Sequence, residues 1–160
     1  MRIVLLAVGK MKAGPERDLA DDYLQRAKGG ARELGFSGLE IRELAVSRQA
    51  RLEDRRKEEA AALRAALPPG SRLMLLDERG QALSSEEFAA DLAKARDSGA
   101  PAYALAIGGP DGFDPSLREG GALALSFGRV TWPHQLMRAM AAEQIYRATT
   151  ILRGHPYHRA

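Results

Sequence analysis

Short apolar runs alternate with longer amphipathic stretches along the whole chain, and this alternation constrains the fold more than any other feature. A strand that leads into a helix rejoins a parallel neighbour by a crossover, so the pattern predicts an α/β fold with a mostly parallel sheet flanked by helices. Strands are expected over residues 2–8, 39–46, 72–76, 103–107 and 122–127. Most of them are nearly continuous in apolar residues, as burial on both faces requires. The second carries Glu40, Arg42 and Glu43, which suits an edge.

The intervening stretches carry helix signals. Pro15 opens a helix over 15–28, where its missing N–H costs nothing, and Gly29-Gly30 is expected to stop it. Residues 49–66 are alanine-rich and charged, with Arg55 and Glu59 at i,i+4 spacing and Pro68-Pro69-Gly70 beyond. Ser84-Ser85-Glu86-Glu87 is a capping box that starts a helix to about Ser98, and Asp114-Pro115 starts a short one. From Pro133 onward Leu136, Met137, Met140, Ala141, Gln144, Ile145 and Ala148 recur at three and four, marking a long helix with one apolar face that ends near Gly154.

With 160 residues, 45% hydrophobic and 28% charged, the chain has the size and composition of one globular domain over 1–160. It has no cysteine, which removes disulfides, thiolate metal sites and cysteine nucleophiles and suits a cytoplasmic location. The run from Ile3 to Val8 is too short to span a membrane and lacks a cleavage site, so it reads as a buried strand. A net charge of +3 is compatible with a polyanionic partner but is weak evidence for one.

Two loops follow strands at what would be the same end of a parallel sheet, where open α/β sheets bind ligands. One is Ile107-Gly108-Gly109-Pro110-Asp111-Gly112, whose spacing fits neither a dinucleotide fingerprint nor a P-loop. The other is Phe127-Gly128-Arg129-Val130-Thr131-Trp132, cut off by Pro133. A lone tryptophan more often packs in a core, but the paired loops favour a shared pocket. The C-terminal His155-Pro156-Tyr157-His158-Arg159 is too aromatic and basic for a frayed tail and is expected to dock. His155 and His158 stand beside a proline with no nearby carboxylate in sequence, so no metal is expected. Gly35-Phe36-Ser37-Gly38 lacks a nucleophile elbow. Arg48, Arg51, Arg55, Arg56 and Lys57 open a helix against its dipole, which allows phosphate contacts, although Glu53, Asp54, Glu58 and Glu59 make a solvated face the simpler reading.

In order and spacing, Val8-Gly9-Lys10, Leu76-Asp77, Ile107-Gly108-Gly109-Pro110, Thr131-Trp132-Pro133-His134-Gln135, Glu143-Gln144-Ile145-Tyr146-Arg147 and Pro156-Tyr157-His158 resemble the RlmH family of SPOUT-type rRNA methyltransferases. The resemblance spans the whole chain. It implies a C-terminal trefoil knot, a knotted cofactor-binding region at about 103–160, S-adenosylmethionine as cofactor and a homodimer. It also implies methylation of N3 of a pseudouridine in helix 69 of 23S rRNA, with the 70S ribosome as partner and neither metal nor membrane. Leu76, Gly108, Phe127, Gly128, Arg129, Val130, Thr131 and Trp132 would bind the cofactor. Tyr157, His158 and Arg159 would be catalytic, at the other subunit's cofactor, with His158 as base, Arg159 stabilising negative charge and Tyr157 on the extruded base; Arg147 and Arg153 would steer phosphates. Trp132 and Gly128 depart from the smaller apolar residue and the serine expected at those places. The competing class is a ribosome-bound protein that holds rRNA without chemistry.

Overall fold

The computed structural model describes residues 1–158; Arg159, expected to act on the substrate, lies outside the described residues. The elements run β1 (Arg2–Val8), α1 (Pro15–Ala31), β2 (Gly38–Leu44), α2 (Leu52–Ala65), β3 (Arg72–Gln81), α3 (Ser85–Asp97), β4 (Ala102–Ile107), α4 (Ser116–Glu119), β5 (Leu123–Leu125) and α5 (His134–Leu152). The strands form one parallel sheet in the order β2-β1-β4-β3-β5. The charged second strand takes the edge its composition suits.

Period-2 alternation divides the buried strands between two cores. Ile3, Leu5, Tyr103, Leu105, Met74 and Leu76 face α1, α3 and α5, while Val4, Leu6, Ala104, Ala106 and Leu75 face Ala60 and Leu63 of α2 and Leu117 of α4. The sheet is therefore covered on both sides, which is why its strands are so uniformly apolar. The capping box forms as expected: the Glu87 N–H donates to Ser84 Oγ at 3.2 Å and the Ser84 N–H to Glu87 Oε2 at 2.7 Å.

Three expectations need correction. Gly29-Gly30 does not stop α1, which continues to Ala31 because Gly30 is a contact point: the Arg153 side chain lies across it, 2.3 Å from where a Cβ would stand. β3 runs past Leu76 to Gln81, with an irregularity between those residues in its pairing with β5. On α5, Ala141, Ile145 and Ala148 of the expected face are buried, together with Arg138, Ala139, Ala142, Thr149 and Thr150, while Leu136, Met137, Met140 and Gln144 are only half-buried. Small residues there let α5 lie close against α1. Among the described residues no helix is long and apolar enough to cross a membrane.

Candidate ligand pocket at the carboxyl ends of the strands

Because β3, β4 and β5 are parallel, the loops that leave them open at one end of the sheet, where their backbone groups are no longer used by the ladder. They enclose a cavity of about 470 Å³, within the range of about 300–1,000 Å³ usual for small-molecule sites. Leu76 contributes from β3, Gly108 from the end of β4, and Phe127, Gly128, Val130, Thr131 and Trp132 from the segment after β5. Seven of the eight residues expected to bind a cofactor thus meet in one place. Arg129 does not line the cavity and is exposed.

Each loop is held by its own polar contacts. The Gly128 N–H donates to Ser126 Oγ at 3.1 Å, Thr131 Oγ1 donates to Glu78 at 3.2 Å, and Trp132 Nε1 donates to the Phe127 carbonyl at 3.4 Å. Trp132 is accordingly a half-buried closure of its loop and not a core anchor. The glycine loop is clamped from α2. Arg55 forks onto the Asp111 carboxylate at 2.6 and 3.2 Å, and Arg56 Nε donates to the Asp111 carbonyl at 2.7 Å. The Arg55 guanidinium holds the Asp111 carboxyl below the ordinary carboxylate range. At Gly108 a Cβ would stand 3.2 Å from the Phe113 ring, so the backbone there is open to the cavity because nothing larger fits.

Sequence reasoning gave Arg55 the wrong partner. Its i,i+4 neighbour Glu59 is not a surface residue but is 4% exposed, and Arg55 turns to Asp111 instead. His134, part of the Thr131-to-Gln135 motif but not among the expected site residues, lines the cavity from the first turn of α5. Burial and then the nearby Arg138 push its imidazole below the ordinary histidine range, against the opposing pull of the Gly109 carbonyl and Glu59. It presents neutral nitrogen to the pocket near neutrality. Its place in that motif, directly after the proline that ends the loop, is the signal the sequence carries for it.

The tail packs on α5 and α3 of its own chain. Tyr157 donates to Glu143 Oε1 at 3.1 Å and packs against Tyr146 with ring centroids 4.6 Å apart. His158 Nε2 meets Glu86 Oε1 at 2.5 Å. Burial, reinforced by Tyr23 and Glu143, pushes the Tyr157 phenol up to about 12, so it acts as a donor and not as a base. Neither residue lines the loop cavity of its own chain; Glu143, the partner of Tyr157, lines a second cavity of about 460 Å³ together with Ser85, Phe88, Met140 and Gln144. Leu125, Phe127 and Gly128 line both cavities and form the wall between them. Arg147, expected to steer phosphates, is engaged by Glu143 at 2.6 Å, and Arg153 pairs with Glu33 at 2.9 Å.

A doubly covered parallel sheet with a loop-built pocket at its carboxyl edge defines an α/β protein with a cavity where such folds place small ligands. Comparison with known proteins narrows this. The family model described as "Predicted SPOUT methyltransferase" matches residues 1–158. The protein named Ribosomal RNA large subunit methyltransferase H of Rhodopseudomonas palustris (strain ATCC BAA-98 / CGA009) is 54% identical over 160 residues, all of both chains. Its namesake of Methylocella silvestris is 54% identical over 159 residues, 99% of each chain. Among solved structures, the SpoU methyltransferase AviRb from Streptomyces viridochromogenes, in complex with AdoMet, aligns over 96% of this chain and 60% of its own with 17% identity and a TM-score of 0.40. The chain belongs to the SPOUT methyltransferases and, within them, to the ribosomal RNA large subunit methyltransferase H family.

Proposed function

We propose that this protein transfers the methyl group of S-adenosylmethionine to N3 of a pseudouridine in helix 69 of 23S rRNA, on the assembled 70S ribosome. The observation that carries this reading is the meeting of Leu76, Gly108 and the segment after β5 in one cavity, in a chain whose full-length relatives carry the name of a large-subunit rRNA methyltransferase. The residues suit the cofactor. Leu76, Val130 and Met137 offer apolar walls for an adenosine, and the glycines at 108 and 128 let it approach the loop backbone closely.

When bound, the cofactor supplies an already electrophilic methyl group on a sulfonium, so the protein needs no nucleophile of its own. Its residues have three tasks: to hold the cofactor, to orient the nucleotide and to manage one proton. The loop cavity serves the first. Tyr157, as a donor, and Arg159 serve the second, and His158 is the base that takes the N3 proton. Neither Tyr157 nor His158 lines the cavity of its own chain, which favours a homodimer in which one copy's tail serves the other's cofactor. We place the protein in the cytoplasm, as one domain over 1–160 with the cofactor held by a trefoil-knotted region at about 103–160.

The test is to incubate the protein with methyl-labelled cofactor and ribosomes from a strain lacking this gene, then to map helix 69 by mass. One methyl on pseudouridine N3 is expected; an unmodified helix 69 overturns the proposal. Calorimetric binding of S-adenosylhomocysteine is expected as well, and its absence would favour a non-catalytic rRNA-binding protein.

A further inference from the structure

Behind the glycine loop, on the side away from the cavity, the structure buries polar groups that the transfer reaction does not use. Glu59 of α2 is 4% exposed and Arg138 of α5 is 2% exposed. Arg138 is accounted for in part: it donates to Glu43 at 2.7 Å and to the Gly9 carbonyl at 2.6 Å, tying α5 to the ends of β2 and β1. Glu59 is more unusual. One oxygen, Oε1, accepts the Ser47 N–H at 3.0 Å, while the other, Oε2, is buried without a hydrogen-bond partner among the described residues.

Leaving a carboxyl oxygen buried and unpartnered is costly, so such a group persists where its position serves something else. Oε2 points at Gly109: a Cβ there would stand 2.7 Å from it and 3.1 Å from Oε1. The carboxyl group cannot swing aside, because Oε1 is tethered to Ser47 and the surroundings are packed. The loop is thus pressed between the Glu59 carboxyl at its back and the cavity in front, with Arg55 and Arg56 gripping its far end at Asp111. Glu59 does not line the cavity and is out of reach of any ligand in it.

We propose that Glu59 is a positioning residue for the cofactor: its buried carboxyl fixes how far the Gly108-Gly109 backbone projects into the pocket, and so sets cofactor affinity from behind the loop. Gly109 is the matching half of the device, since only a residue without a Cβ lets the loop settle against the carboxyl. This rests on the reading of the cavity as an S-adenosylmethionine site.

The experiment measures S-adenosylhomocysteine affinity by calorimetry, and KM for S-adenosylmethionine against kcat with ribosomes, for Glu59→Ala, Glu59→Gln, Gly109→Ala and the Glu59→Ala/Gly109→Ala double variant. Gly109→Ala should weaken binding about tenfold or more, as overpacking against a fixed neighbour does. Glu59→Ala should raise KM with kcat at saturation unchanged, and Glu59→Gln, which keeps the shape and can still accept from Ser47, should restore wild-type KM. The double variant should bind more tightly than Gly109→Ala alone, because the added methyl then enters the space the carboxyl has left. A Gly109→Ala variant that binds like wild type, or a double variant no tighter than Gly109→Ala, overturns the proposal; the first of these stands even if Glu59→Ala fails to fold. A wild-type chain that does not bind S-adenosylhomocysteine overturns the cofactor reading itself, a result distinct from altered affinity in the variants.

Discussion

Arg138, buried in α5, donates to Glu43 on the edge strand at 2.7 Å across 95 residues of sequence. The same Glu43 oxygen accepts the Met11 N–H at 2.6 Å, so one carboxylate ties the last helix, the edge strand and the loop after β1 together. Glu43→Ala would leave Arg138 with only the Gly9 carbonyl. Stranding a buried charge typically costs about 3–5 kcal/mol, and because the Glu43 side chain is 33% exposed the lower end, about 3 kcal/mol, is expected. In urea the unfolding midpoint should fall with the slope unchanged.

Ser84→Ala removes the acceptor for the Glu87 N–H at the start of α3. A lost N-cap should cost about 1 kcal/mol by the same urea measurement. Cofactor affinity should stay within twofold, because the cavity that holds Leu76 and Gly108 does not include Ser84.

Ending the chain after Gly154 removes Tyr157 and His158 without touching the loop cavity. S-adenosylhomocysteine should bind as before, while single-turnover methyl transfer to ribosomes should fall by about 10²-fold or more, the usual contribution of a positioned proton acceptor. Normal transfer by the shortened chain would remove the tail from the reaction.

His134 gives a pH signature. Its folded pKa lies below the ordinary 6.5, so the native state resists a proton that the unfolded chain accepts. The stability this provides is complete above about pH 6.5 and is lost as pH falls through the lower folded value. Replacing His134 with Gln should flatten that part of the stability profile, read as urea midpoints between pH 7 and pH 5.

Element type was legible in the sequence because burial writes itself into periodicity. The apolar runs at Ile3 to Val8 and at Tyr103 to Ile107 are strands buried on both faces, and Ser84 with Glu87 caps α3 as its spacing requires. The pocket was legible for a different reason: glycines directly after strands mark a backbone that something approaches, and Gly108 and Gly128 both reach it.

Pairwise geometry between distant residues was not legible. Gly30 looked like a helix stop because composition cannot tell a flexible glycine from one that lets the Arg153 side chain lie across the helix. The charges of α2 looked solvated because nothing in their spacing says that Glu59 turns inward to Gly109 while Arg55 and Arg56 reach Asp111. On α5, periodicity placed Ala141, Ile145 and Ala148 correctly but put Leu136, Met137 and Met140 beside them, whereas close packing on α1 selects alanines by size.

The strand order has a consequence for synthesis. Ile3 pairs with Leu39 on one side but with Tyr103 on the other, and α1 takes its helix cover from α5, so the β1–α1–β2 unit stays half-covered until β4 and α5 have been made. Such late, long-range closure is slow, and it keeps an apolar nascent chain open to chaperones until α5 has been made.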